Sequence, residues 1–327
     1  MLRYLLVFTF LSFSVMPASA QGKAIYADGV LMATLQDAFD AVKPGGTIRI
    51  EPGIYKEGGE LKKGHDGVLI IGAPGVVFDG VAVKGKAAFV IQSDNVTIES
   101  IACKNIRVRS KNGACVRMES ANLTLKDVDF SHSENGILTW NKVNKLLIED
   151  SIFEYNGKGG QAHGMYITGG KQLIVRRSRI LNSKNNGHGI KSRAEITLVE
   201  NTVVASLEGD DSYLIDAPDG GEVIVRNSLL VEGANTVNWH LLTFGPESRK
   251  YPENSFKLEK NVIISDREGG STLFNIGEGM PTPQARGNVV VGRITYDWSD
   301  NNFFFDERAD LNWPAAPALP EIDLSQK

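Results

Sequence analysis

The sequence predicts an all-β fold, a solenoid of short strands stacked coil upon coil, and three observations carry that reading. First, VTIESIACKN, LTLKDVDFSH, LLIEDSIFEY, LIVRRSRILN, ITLVENTVVA, VIVRNSLLVE and FKLEKNVIIS share alternating apolar residues, a polar turn position and a further apolar pair. With Ile101, Val128, Ser151, Ser178, Asn201, Asn227, Asn261 and Asn288 taken as one slot, successive spacings are 27, 23, 27, 23, 26, 34 and 27 residues. Repeats of this length stack into solenoids. Second, a companion set lies between them: GACVRM, NGILTW, HGMYIT, HGIKSR, SYLID, HLLTF and TLFNI. Each repeat therefore holds at least two strands buried on one side, and only neighbouring coils can cover those faces. Third, the 34 glycines are scattered between short apolar runs, as many tight turns require.

The 327 residues and 42% apolar content suffice for a sizeable core. A net charge of -4 with no long basic run argues against nucleic acid or an anionic membrane as partner. Residues 1–20 read as a secretory signal: an early Arg3, an apolar run from Leu5 to Val15, and Ala18 and Ala20 spaced for cleavage before Gln21. No later stretch is apolar enough to cross a bilayer, so the expectation is a periplasmic or secreted protein with no membrane insertion after signal removal, acting as a monomer. In that compartment Cys103 and Cys115 are either a disulfide or two small apolar side chains in adjacent strands.

The mature chain, 21–305, begins with TLQDAFDAVKPGG, where Leu35, Ala38, Phe39 and Val42 form one stripe of a helix over 34–43. Thr34 caps its start and Gly45 ends it. With no other helical pattern in the chain, this stripe is expected to cover the open end of the stack. TIRIEPGIYKE and GVLIIGAP follow as short strands. The 34-residue spacing marks an insertion, GPESRKYPENS (245–255), which is either the wall of a binding groove or a surface bulge. Residues 306–327 lose the repeat and form an extended tail.

The chemistry concentrates between Ala162 and Asp219. AHGMYITGG, GHGIKSRA and SYLIDAPDGG read as one strand written three times at steps of 25 residues. Stacked in register, Met165, Ile190 and Ile215 point inward, while Tyr166, Lys191 and Asp216 form an outward row at about 4.8 Å per step. Arg193 shares the parity of Lys191. His163 and His188, by strict alternation, point inward, although at a corner either direction is open to them, and they stand at the edge of the outward face. A buried, hydrogen-bonded role and a metal pair are both open for them, and without a third ligand no metal is assigned. The Asn column is expected to satisfy backbone groups at a bend. Lys126, Glu149, Arg176, Arg226 and Glu259 form a mixed-sign solvated column. Arg176, Arg177 and Arg179 are a further place for an acidic polymer.

The helix followed by PGGTIRIEPGIYKE and coils of about 25 residues resembles the exported right-handed parallel β-helix proteins of the pectate-lyase-like superfamily, over residues 24 to about 305. That resemblance implies a right-handed parallel β-helix, in a superfamily that includes lyases, hydrolases, epimerases and proteins without catalysis. Lys191-Ser192 resembles the Lys-Ser pair of the chondroitinase B and alginate lyase branch, whose lysine is the proposed base. The branch's following Arg-His-Gly is replaced here by Tyr213, Leu214, Ile215 and Asp216. Its acidic calcium ligands are replaced by Asn185 and Asn186, so no calcium site or other cofactor is assigned. Gly187-His188-Gly189 and Asp210-Asp211 resemble polygalacturonase motifs in reversed order.

β-Elimination from a uronic-acid polymer needs a base, a cation for the developing enolate and a proton donor for the leaving oxygen. On the sequence, Lys191 is the base if desolvation and Arg193 lower its pKa, and Arg193 neutralises the substrate carboxylate. Tyr166 or His188 supplies the proton. His163, Tyr213, Asp216 and Arg177 complete the expected substrate contacts. The expected activity is a polysaccharide lyase on an acidic polysaccharide. The alternatives are a glycoside hydrolase, a uronan C5-epimerase or a periplasmic carbohydrate-binding protein.

Overall fold

Period-two alternation decides the cross-section. In Asn122–Lys126, Lys145–Glu149, Gln172–Arg176 and Glu222–Arg226, the second and fourth residues are buried and the others face out. Turns after every strand then close the chain into coils. The computed structural model describes residues 23–298 and 301–311. It contains three sheets of twelve, eleven and ten strands, whose members succeed one another once per coil. Pairing between strands is parallel throughout except at the N-terminal end, where Ile25–Ala27 pairs antiparallel with both Val30–Met32 and Thr47–Ile50. The predicted signal and the end of the predicted tail lie outside the described residues. The tail's first residues form a 3-10 turn, Arg308–Leu311, tied to the last coils by an Arg308–Asp266 ion pair.

One continuous apolar core runs the length of the stack. Helix α1, Leu35–Ala41, closes the N-terminal end. Thr34 accepts the Asp37 N–H as its cap, and Leu35, Ala38 and Phe39 are buried. Phe39 meets Phe89, which in turn packs edge-on against Phe78 at 4.6 Å. Cys103 and Cys115 form a disulfide, which joins a second-sheet strand to the following third-sheet strand.

The column of polar bend residues differs from the sequence reading by one position in two coils. The residues that enter the stack are Ser151, Ser178, Thr202, Ser228, Asn261 and Asn288. Each accepts the backbone N–H of the equivalent residue one coil earlier, at 2.9–3.4 Å. Asn201 and Asn227 stand one residue before this ladder, in left-handed backbone with φ of 49°. Amide side chains tolerate that conformation, and the same side chains satisfy a buried N–H, so both positions attract Asn. On the outer face Glu99, Lys126, Glu149, Arg176, Glu200 and Arg226 alternate in sign and pair across coils.

Glycine decides the entry to the third sheet. A Cβ on Gly164 would lie 2.4 Å from the Gly189 carbonyl oxygen, and one on Gly189 would lie 2.6 Å from that of Leu214. The coils approach each other there too closely for a side chain. Asp211, in the corner before the next strand, turns into the protein and is 1% exposed. It accepts the Ser206 hydroxyl at 3.0 Å, while its Oδ1 has no partner. Of the pair Asp210-Asp211, the second is thus turned into the protein, while the exposed first accepts the Asn185 N–H at 2.7 Å. Burial, with Glu232 and Asp210 adding, pushes the Asp211 carboxyl up to about 7.

These buried polar groups set measurable stability effects. Asn261→Ala leaves the Ser228 N–H without a partner and lowers unfolding stability by about 1–3 kcal/mol in denaturant titration. Folded Asp211 holds its proton to higher pH than the unfolded chain, so its contribution to stability falls as pH rises from about 4 to 7. Asp211→Asn removes this loss. Melts at pH 4 and pH 8 are expected to show the variant gaining on the parent by up to about 4 kcal/mol.

Candidate functional site

Register brings the reactive row together. Met165, Ile190 and Ile215 are mutual neighbours, and so are Tyr166, Lys191 and Asp216 on the opposite face. Thr243 extends the row by one coil. The inward neighbour in this stretch is Ser192, whose hydroxyl pairs with that of Thr197 at 2.7 Å. The serine of the Lys-Ser dipeptide therefore belongs to the interior and only Lys191 to the row.

Although the row points away from the coil axis, it is not open to water. Lys191 is 8% exposed and Asp216 3%. The cover is the insertion, residues 245–255, which folds back over the third sheet. Tyr251 donates its hydroxyl to the Arg193 carbonyl at 2.6 Å, and Asn254 accepts the Gly221 N–H at 2.9 Å. The Glu247 and Ser248 N–H groups both reach the Pro218 carbonyl at 3.0 Å.

The covered groups form one ion-pair network. Lys191 Nζ lies 3.0 Å from Asp216 Oδ2 and 3.3 Å from Glu247 Oε1. It also lies 5.9 Å from the centre of the Tyr166 ring. Arg193 reaches Asp219 at 2.5 Å through one guanidinium nitrogen and Glu247 Oε2 through another. Lys250 stands 3.9 Å from Asp219. Thr243 donates to Asp216, and Ser248 donates to Asp219 at 3.1 Å. Three cations and three carboxylates thus balance.

These contacts reverse one expectation. Burial opposes the charge on Lys191, but Asp216 and Glu247 outweigh it and hold the ammonium above its ordinary pKa. The lowered pKa on which the expected base role of Lys191 depended is thus replaced by a raised one. Arg193 is likewise held above its usual value: burial opposes it, and Glu247, Tyr166 and Asp219 outweigh burial. For Glu247, burial is outweighed by Arg193 and Lys191, which keep its carboxyl below the usual range.

The histidines also differ from strict alternation, which sent them inward. At the glycine corner both turn to the outer side and stack. The His163 and His188 rings are 4.4 Å apart, and His188 lies parallel to Tyr213 at 5.1 Å. His163 Nδ1 accepts the His188 N–H at 3.0 Å, and the ring meets Tyr166 edge-on at 4.9 Å. At 1% exposure, His163 is enclosed and packs against the Tyr166 ring. His188 Nε2 lies 3.6 Å from Asp216 Oδ2. Burial lowers the His188 pKa to about 4 and that of His163 well below its ordinary value, so both rings are neutral near pH 7.

Arg177 does not belong to this constellation. It occupies the turn after the first-sheet strand Gln172–Arg176, where Asp150 and Glu149 hold it at 2.8–3.0 Å. Sequence reasoning missed Glu247, Asp219, Thr243 and Tyr251. The signals for them were the long 227-to-261 spacing and the SYLIDAPDGG corner. Among the described residues, no group of three or more His, Cys, Asp or Glu side chains is arranged to hold a metal ion.

Comparison with solved structures gives likeness of fold at low identity. A tailspike protein, gp49 of Acinetobacter baumannii bacteriophage Fri1, described as a capsular polysaccharide depolymerase, is 11% identical, with a TM-score of 0.42. The alignment covers 80% of this chain and 50% of the tailspike. The PL6 family alginate lyase AlyGC is 10% identical over 82% of this chain and 51% of its own, with a TM-score of 0.42. The A-module of the Azotobacter vinelandii mannuronan C-5 epimerase AlgE6 is 15% identical over 80% and 90%, with a TM-score of 0.34. The chain thus spans about half the length of the tailspike and the alginate lyase. No curated protein matches it. Residues 59–238, more than half of the chain, match the family described as the right handed beta helix region. With the parallel coils above, that match makes the chain a member of the right-handed β-helix family.

Proposed function

We propose that this protein is an exported polysaccharide lyase that cleaves a uronic-acid-containing polysaccharide by β-elimination. The observation that carries the reading is the convergence of two cations, Lys191 and Arg193, on a single carboxylate, that of Glu247, beneath the 245–255 loop. A uronate carboxylate seated there would have its charge neutralised, which acidifies the adjacent C–H and stabilises the enolate that forms on proton loss. Lys191 and Arg193 supply that stabilisation. Tyr166, beside both cations and partly exposed, takes the proton from the carbon next to the carboxylate as its phenolate and gives that proton to the leaving oxygen as the C–O bond breaks, so it ends as it began. His188 and Tyr213 hold the row from one side, and Asp216 keeps Lys191 charged and aimed.

Hydrolysis fits the groove less well. It requires one carboxyl group that stays protonated beside a second that does not. The carboxylates of this network are each paired to a cation, and Glu247 is held below its ordinary range. Export is supported by the apolar leader in the sequence and by the Cys103–Cys115 disulfide, a bond that persists in oxidising compartments.

The test is a panel of acidic polysaccharides followed at the ultraviolet band of unsaturated uronates. One or more polymers are expected to give rising absorbance with the parent protein. Tyr166→Phe lowers kcat by about 10²-fold or more, and Lys191→Ala and Arg193→Ala abolish turnover while circular dichroism stays unchanged. Reducing ends without absorbance would replace elimination by hydrolysis. Full activity in the Lys191 and Arg193 variants would end the assignment.

A further inference from the structure

The ion-pair network contains one member unlike the rest. Asp216 and Asp219 are buried, and each has a hydroxyl donor besides its cation, Thr243 for the first and Ser248 for the second. Glu247 is half exposed, stands near the start of the 245–255 loop, and among the described residues its side chain accepts from Lys191 and Arg193 alone. It gives one carboxylate oxygen to each, as a ligand carboxylate bridging an ammonium and a guanidinium would.

The charges support the same assignment. Without Glu247, the network holds Lys191, Arg193 and Lys250 against Asp216 and Asp219, an excess of one positive charge. That excess matches one monoanionic group, and a phosphate monoester would overfill it. We infer that Glu247 is a built-in surrogate for the substrate's carboxylate: it occupies the uronate pocket in the empty protein and leaves when a uronate residue enters. The inference rests on the acidic-polysaccharide reading and extends it to how the pocket is kept and opened.

Leaving requires little. The loop is pinned at Tyr251 and Asn254, downstream of Glu247, and its backbone is fixed at Pro218 and Asp219. Rotation about the glutamate's own side-chain bonds is enough to vacate the pocket while the wall stays in place. In the empty state the surrogate spares two largely buried cations from standing partly unpaired, which is costly in a desolvated site. When substrate binds, one carboxylate replaces another and the local charge is unchanged. The surrogate therefore weakens substrate binding by the fraction of time it holds the pocket.

The experiment is calorimetric titration of the full chain with oligouronates from the polysaccharide panel, their carboxyl-reduced neutral counterparts, and a sulfated oligosaccharide lacking carboxylates. Glu247→Ala is expected to bind an oligouronate about 10-fold more tightly than the parent. Glu247→Gln, which keeps the side chain's size, gives the same direction if the alanine variant fails to fold. Arg249→Ala, a change in the same loop outside the network, leaves affinity unaltered. Arg193→Ala in the Glu247→Ala background loses the gain, and the neutral oligomers bind neither protein. Unchanged or weaker oligouronate binding in both Glu247 variants would overturn the inference. So would equal tightening toward the sulfated oligomer, or no oligouronate binding by any variant. Because the readout is binding, a protein that never eliminates but still tightens on Glu247 removal refutes the lyase chemistry and leaves the surrogate standing.

Discussion

In-register parallel pairing is the constraint on which the rest of this protein depends. Adjacent coils are held by backbone hydrogen bonds at about 4.8 Å, so a residue's neighbours are set by its place in the coil and not by its place in the chain. Met165, Ile190 and Ile215 fill one level of the core because of that register, and the same register makes neighbours of Tyr166, Lys191 and Asp216. A slip by one residue would send Lys191 into the core and Ile190 into the groove. The inner ladder of Ser151, Ser178, Thr202, Ser228, Asn261 and Asn288 guards against it, because each hydroxyl or amide fits the N–H of one position on the preceding coil. The glycine column at 164 and 189 adds a steric lock, since only glycine can stand where the neighbouring carbonyl comes that close.

Electrostatics then turn a regular row into a site. A lysine removed from water ordinarily loses affinity for its proton. Here two carboxylates touch Lys191, and their attraction in a partly desolvated place exceeds the burial effect, so the charge is strengthened. His188 is more deeply enclosed and stands 3.6 Å from its carboxylate; there burial outweighs Asp216, and the ring stays neutral. Burial and contact distance together separate the two outcomes. The row consequently places positive charge beside neutral rings.

The fold was legible in the sequence because alternation and the coil period are local properties written many times over. The third-sheet strands and their register followed from three occurrences of one short motif. The slip at Asn201 and Asn227 arose because Thr202 and Ser228, the true ladder members, are also polar, and composition does not distinguish the two positions. Alternation alone did not decide the direction of the histidines, because they stand at a corner that Gly164 and Gly189 bend. Arg177 looked available because its partners, Asp150 and Glu149, sit 27 and 28 residues away on the previous coil. The charge state of Lys191 was beyond reach for a like reason: Glu247 stands 56 residues downstream, on the one segment that breaks the period.

That break has a physical logic. A repeating coil presents its outer residues as parallel columns on a nearly flat sheet, and a flat sheet neither encloses a ligand nor excludes water. A second wall must come from residues outside the repeat. Placing them in a turn, between Phe244 and Ser255, leaves every ladder bond of the adjoining strands in place. The loop is anchored twice over: to backbone carbonyl and amide groups of the stack, at Arg193, Pro218 and Gly221, and to the side chains it covers, through Glu247, Ser248 and Lys250. The backbone anchors do not depend on which side chains the row carries, so the stack can hold the loop in place while the row beneath it differs, which is how one scaffold accommodates distinct chemistries on a single face.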